Sequence, residues 1–200
     1  MMPPWLRPLW TVAFLGLKGP GYLLMDKLSR TRLNVSFYRN YAGLPPEAVR
    51  ALAPACFTEL IRPHLFTQAP ACVAEHRMAG RRVVLITGSI DFIVEPLARF
   101  LGVDDLLSPS LVERDGQFTG ELSGPPVGEA EKARRIRAYA QNRELDLSAS
   151  YAYGDSIADL PMLETVGYPR VVNPDRLLAR RARRLGWPVM RWTAGEPLGA

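Results

Sequence analysis

Tyr151-Ala152-Tyr153-Gly154-Asp155-Ser156-Ile157-Ala158-Asp159-Leu160-Pro161-Met162 is the stretch whose reading decides the fold. A short β-prone run ends in Gly154-Asp155, and a second acid, Asp159, follows at a predicted helix start. In a parallel α/β sheet this places two carboxylates at the carboxyl edge of a strand, where such sheets bind ligands. Hard divalent cations take oxygen donors, and Mg²⁺ accepts only one or two from protein. The same residues also fit a plain strand-to-helix turn, with Asp159 complementing the positive end of the helix macrodipole. On this stretch alone the two readings are equally good.

Moving outward, strands alternate with helices. Arg82 to Thr87 is a continuous apolar, β-branched run of the kind found in strands buried on both faces. Gly88 and Ser89 turn the chain, and Asp91 to Leu101 reads as a helix ended by Gly102. Leu106 to Val112 and Gln117 to Leu122 flank Arg114-Asp115-Gly116, a hairpin signal. A helix over Val127 to Asn142 precedes a strand over Ala149 to Tyr153 and a helix over Asp159 to Val166. A strand at Tyr168 to Val172, a helix at Pro174 to Leu185 and a strand at Pro188 to Trp192 complete the pattern. Such alternation predicts an α/β fold with a Rossmann-like, doubly wound parallel sheet. Upstream, the chain reads as helix and loop, with helices from about Pro46 to Ile61 and Ala69 to Met78.

Composition narrows the partners. The 200 residues carry 25 Lys and Arg against 20 Asp and Glu, a net charge of +5 that lies mostly in arginine. Arg134, Arg135 and Arg137, then Arg176, Arg180, Arg181, Arg183 and Arg184, fall on predicted helices and read as solvated faces. No interleaved aromatics or recognised module accompany them, so no nucleic-acid partner is expected. A basic surface would instead steer small phosphorylated molecules. Cys56 and Cys72 form no metal-ligand pattern with His64 or His76 and read as buried free thiols of a cytoplasmic protein. The apolar run Leu9 to Leu17 stops at Lys18-Gly19-Pro20, short of a membrane span, and no cleavage site of a signal peptide follows it. A membrane-surface role is not expected.

Three features then stand in order: Leu85-Ile86-Thr87-Gly88-Ser89, Gly128-Glu129-Ala130-Glu131-Lys132, and Gly154 to Asp159. Each has its own purpose if the ligand is a phosphate. Thr87 ends a buried strand with a hydroxyl free to donate, and the amides of Gly88 and Ser89 lead into a helix N-terminus, an anion site. Lys132 supplies a point positive charge, Asp155 would hold Mg²⁺, and Asp159 could hold Lys132 or the metal's surroundings.

The combination resembles the haloacid dehalogenase superfamily of phosphohydrolases, in particular its subfamily IB of phosphoserine-phosphatase-like enzymes. The likeness runs from about Leu44 to Trp192 and rests on Val83-Val84-Leu85-Ile86-Thr87, Glu95-Pro96-Leu97-Ala98, Tyr151 to Ser156, Asp159 to Leu163 and Val172-Asn173-Pro174-Asp175. It implies Mg²⁺-dependent hydrolysis of a small phosphorylated metabolite through an aspartyl-phosphate. Thr87, Gly88, Ser89 and Lys132 would bind the phosphate, Thr87 and Lys132 acting in catalysis, and Asp155 and Asp159 would serve the metal. It also implies a helical cap over residues 1–78, an α/β core over 79–192 and a tail over 193–200.

Two departures qualify the likeness. The family's nucleophile lies in a first strand ending Asp-x-Asp-x-Thr, and no Asp-x-Asp occurs in these 200 residues. The expectation is a sheet without its first, central strand, from a sequence that begins inside the cap. An alternative is a non-catalytic relative that binds a phosphorylated ligand or a protein. The second departure is Ala158, where relatives usually carry a polar residue such as Ser or Asn.

Overall fold

The computed structural model describes residues 35–193. The expectations for Leu9 to Leu17 and the rest of residues 1–34, and for the tail beyond 193, lie outside the described residues. Two apolar parallel strand groups organise the chain. β1 (Val84–Ile86) pairs in parallel with β2 (Asp105–Leu107), and β5 (Tyr151–Gly154), β6 (Tyr168–Val172) and β7 (Val189–Met190) form a second parallel set in that order. Between them in sequence lies an antiparallel hairpin, β3 (Leu111–Arg114) and β4 (Gln117–Leu122). Asp115 and Gly116 make its turn with φ of 51° and 72°, the left-handed pair that a two-residue hairpin turn requires.

Helices are α1 (Pro46–Arg50), α2 (Ala53–Cys56), α3 (Gln68–Met78), α4 (Asp91–Leu101), α5 (Glu129–Asn142), α6 (Leu160–Leu163) and α7 (Arg176–Leu185). The single helix expected over Pro46 to Ile61 is broken. Pro54 has no N–H for the Arg50 carbonyl, so the chain restarts as α2 and continues in a π turn at Phe57–Ile61. The strand expected over Leu106 to Val112 is also two elements. Ser108-Pro109-Ser110 parts β2 from β3, and the Pro109 carbonyl accepts the Asp91 N–H (3.0 Å) instead of entering a ladder. The helix expected from Pro174 begins later, because Asn173 takes a left-handed φ of 43° and Asp175 caps Arg176–Leu185. Cys56 and Cys72 are unpaired but half-buried rather than buried. Among the described residues no helix is long and apolar enough to cross a membrane.

The direction of the two strand groups follows from α5. Arg135 Nη1 donates to the carbonyl of Ser108, just past β2 (3.1 Å), whereas Tyr139 Oη and Arg143 Nη2 donate to Asp105 at its start (2.6 and 3.1 Å). Helix α5 therefore runs antiparallel to β2 and hence to β1. At its first turn Lys132 reaches Asp159, beyond the end of β5, and its last turn leads by a short connection into the start of β5. All these strands thus point the same way, and their carboxyl ends share one edge.

No described strand joins β1 to β5. Backbone groups alternate sides along a strand. The Thr87 N–H donates to the Leu107 carbonyl and the Asp105 N–H to that of Val83, so the groups of Val84 and Ile86 face away from β2. The Tyr168 N–H donates to the Ser150 carbonyl, so Tyr151 and Tyr153 likewise face away from β6. Between these two edges lies a cavity of about 510 Å³, lined by 83–86 and 149–153 and by Cys72, His76, Ile136 and Tyr139 from α3 and α5. Burial agrees. In β6, flanked on both sides, Val171 and Val172 are 0% and 5% exposed, whereas Val84 to Ile86 and Tyr151 to Tyr153 are only half-buried.

The described part of the N-terminal region is stitched to this body at several points. Tyr38, 4% exposed, packs with Ile90, Phe92, Leu111 and Phe118, and its hydroxyl donates to the Gly88 carbonyl. Gly43 and Leu44 exchange backbone bonds with Phe118 at 2.9 and 3.0 Å. Phe118, 2% exposed, stacks on Phe92 (5.5 Å between centroids) and holds region, hairpin and α4 together. Replacing it with alanine leaves a cavity, and Phe118→Ala should cost about 3–5 kcal/mol in urea unfolding. A loss under about 1 kcal/mol would show that this cluster does not join the three elements.

Candidate active site at the carboxyl edge

The loop leaving β5 is built around one carboxylate. Asp159 Oδ1 accepts from Lys132 Nζ at 2.5 Å, and its Oδ2 accepts the amides of Asp155 (3.2 Å) and Ser156 (3.3 Å). The side chains of Lys132 and Asp159 are 18% and 7% exposed, so the ion pair is largely removed from water. Ser156, itself buried, returns the interaction by accepting the Ala158 amide at 3.4 Å, which makes a capping box at the 3₁₀ turn Ile157–Asp159. Glycine is required just before this loop. A Cβ on Gly154 would lie 2.8 Å from Asp159 Cβ and 3.1 Å from its Oδ2.

A second carboxylate braces the loop from outside. Asp175 Oδ2 accepts the Ile157 amide at 2.7 Å, its Oδ1 accepts the Leu178 amide at 2.8 Å, and its own N–H donates to the Asp155 carbonyl at 2.8 Å. Partial burial opposes ionisation of Asp175, yet hydrogen bonds from the Leu178 and Ile157 amides and the Ser156 hydroxyl hold its carboxyl below the ordinary range.

Across the slot, Thr87 follows β1. Its Oγ1 accepts the Ser89 amide at 3.1 Å, which leaves its hydroxyl hydrogen to donate elsewhere. Gly88 is tied to Tyr38, and α4 starts with Asp91, whose Oδ1 accepts the Phe92 amide at 2.7 Å. An acid in the first turn already complements that helix end. At this strand end the Ser89 amide is thus engaged by Thr87 itself, and the Thr87 hydroxyl keeps its hydrogen to donate.

The expected residues thus gather at one edge. Lys132, Asp155 and Asp159 are joined through direct bonds, and Thr87, Gly88 and Ser89 end the parallel strand on the other side of the slot. Ser156, Gly154 and Asp175 are parts of the site that sequence reasoning quoted but gave no role. An Asp three residues before Leu178 at a helix start is an N-cap signal, and it was available. Among the described residues no three His, Cys, Asp or Glu side chains form a metal-ligating cluster.

The sequence pattern of haloacid dehalogenase-like hydrolases matches residues 4–164. The chain belongs to that family. It is 38% identical over 168 residues to a probable phosphatase of Mycobacterium tuberculosis, covering 84% of this chain and 58% of that protein. It is 29% identical over 199 residues to a histidinol-phosphatase of Neisseria meningitidis, covering 86% of this chain and 90% of the relative. The solved structure of a Bordetella pertussis protein of unknown function superposes with a TM-score of 0.74 at 31% identity, covering 81% of this chain and 74% of the other. A phosphoserine phosphatase structure, described as a phospho-aspartyl intermediate analogue, shares the fold with a TM-score of 0.63 at 20% identity, over 82% of this chain and 73% of that one. The chain spans about 58% of the length of the first curated relatives it matches.

Among the described residues Lys132 is the one cation ion-paired with Asp159. Lys132→Met leaves a buried carboxylate uncompensated and should cost about 3–5 kcal/mol, whereas Lys132→Met with Asp159→Asn should cost clearly less than the two single changes added. A urea-unfolding double-mutant cycle measures this. Strict additivity would mean the two groups do not interact.

Proposed function

We propose that this chain carries most of the active site of a Mg²⁺-dependent phosphomonoesterase that acts on a small phosphorylated metabolite through an aspartyl-phosphate. The observation that carries the reading is the meeting of Lys132, Asp155 and Asp159 at the strand edge that also ends in Thr87, at the mouth of a strand-wide slot.

The donor set fits the metal. Mg²⁺ keeps most of its waters and asks for one or two carboxylates. Asp155 would hold it, while Asp159, with its oxygens on Lys132 and the loop amides, would orient the loop from behind. Local charge fits as well. Lys132 is already paired with the Asp159 carboxylate, and a phosphoryl dianion entering this edge would require a further cation. When bound, Mg²⁺ would neutralise charge on the phosphoryl group.

The remaining work belongs to the chain. The Thr87 hydroxyl donates to a phosphoryl oxygen, and Lys132 offsets charge that spreads over the transferring group. The nucleophilic carboxylate is carried by a strand seated parallel between β1 and β5. Its backbone groups would meet those of Val84, Ile86, Tyr151 and Tyr153. Such a strand ends at the same edge as Thr87 and Asp155, which puts an Asp at its tip beside Lys132. The names of relatives, histidinol-phosphatase and phosphoserine phosphatase among them, support a small phosphorylated substrate. A cap drawn from within residues 1–78 shapes substrate choice over the core of 79–192. Unpaired Cys56 and Cys72 support a cytoplasmic setting.

A panel of phosphomonoesters with Mg²⁺ tests this on the 200 residues and on the same chain extended through a strand ending Asp-x-Asp-x-Thr. Turnover and a beryllium fluoride thermal shift are expected from the extended chain only. Lys132→Ala should lower its kcat by about 100-fold or more. Turnover indifferent to both Lys132→Ala and Asp155→Asn would overturn the reading.

A further inference from the structure

Asp175 lies outside the residues assigned to phosphate or metal, on a different loop, yet three of its polar groups serve the Asp155 loop or its own helix. Its Oδ2 takes the Ile157 amide at 2.7 Å, and its N–H donates to the Asp155 carbonyl at 2.8 Å. The first bond fixes the residue two beyond Asp155, and the second fixes the peptide of Asp155 itself. Only the third, from the Leu178 amide to Oδ1 at 2.8 Å, serves helix capping.

The segment that presents Asp175 is itself clamped. Asn173 Nδ2 donates to the Trp192 carbonyl at 2.8 Å, and its Oδ1 accepts the Trp192 amide at 3.1 Å. Pro174 then fixes the next φ, so Asp175 enters from a braced position. Trp192 leads to Thr193, whose carbonyl accepts the Thr67 amide at 3.1 Å and whose N–H donates to Gln68 Oε1 at 3.2 Å. The Asp155 loop is thereby referenced to β7 and to the start of α3, not only to its own strand.

We propose that Asp175 is a positioning residue for the metal loop, holding the Asp155 backbone so that its carboxylate is presented at the shared strand edge. The inference rests on the reading of Asp155 as the metal ligand given above. Groups that orient metal ligands from behind are worth about 10–100-fold in affinity when lost. Capping alone predicts a different result, because serine caps a helix about as well as aspartate. Serine at 175 is too short to reach both the Leu178 and the Ile157 amides.

The test is Mn²⁺ alone, followed by electron paramagnetic resonance of the free ion, with melting temperatures recorded without metal. The proteins are the unaltered chain, Asp155→Asn, Asp175→Ser and Asp175→Ala. Asp155→Asn should abolish the site. Asp175→Ser should weaken Mn²⁺ binding about 10–100-fold while melting close to the unaltered chain; Asp175→Ala should lose both affinity and stability. If Asp155→Asn removes binding but Asp175→Ser binds as the unaltered chain does, the inference falls and the metal reading stands. If Asp175→Ser melts as low as Asp175→Ala, its weaker binding belongs to a general loss of stability and the inference falls again. Binding absent from the unaltered chain, or unmoved by Asp155→Asn, removes the metal reading and this inference with it.

Discussion

The contact between Lys132 Nζ and Asp159 Oδ1 is the interaction on which the rest of the site depends. It joins the first turn of α5 to the loop that follows β5, and α5 is in turn fixed to β2 through Arg135, Tyr139 and Arg143. One ion pair therefore ties the two strand groups together near their carboxyl ends. Taking both charges out of water is costly, and the geometry offsets that cost through the added amide bonds to Asp159. Gly154 is what lets the carboxylate come so close to the backbone.

The slot between β1 and β5 follows from the same frame. A doubly wound sheet normally covers every inner strand on both edges, and here two inner edges face a cavity of about 510 Å³. The half-buried state of Val84, Leu85 and Ile86 is the counterpart of their apolar, β-branched character. Their composition suits a strand with neighbours on both sides, and the described residues give them one. The helices that would cover such a strand, α3 and α5, already line the space.

How much was legible in the sequence depended on which physical signal was at work. The order of strands and helices was readable because buried strands such as Val171-Val172 and helices such as Asp91–Leu101 carry dense apolar patterns. The hairpin turn was readable because Asp115-Gly116 is chemistry specific to that turn. What failed were boundaries governed by single backbone groups. Pro54 broke a helix whose side-chain periodicity continued, and Pro109 separated β2 from β3 inside an apolar run. Within the site, Lys132, Asp155 and Asp159 stood out because charged residues at strand and helix ends need a reason. Asp175 showed only as a helix N-cap, because its bonds to the Ile157 amide and the Asp155 carbonyl join main-chain groups of an earlier loop that no pattern of side chains along the sequence marks.

The arrangement also accommodates an alanine at position 158. A polar side chain there would offer a hydrogen bond to the loop or to phosphate, and the loop's own polar demands are already met by other groups. Ser156 accepts the Ala158 amide, Asp159 accepts those of Asp155 and Ser156, and Asp175 accepts that of Ile157. Each amide from 155 to 158 thus has a partner, so replacing one neighbouring side chain with a methyl removes no bond that holds the loop in shape. The rigidity of the loop resides in the two carboxylates on either side of it. One of them, Asp159, also holds the lysine. Loss of either would be felt at Asp155, whereas the side chain at 158 can vary without moving it.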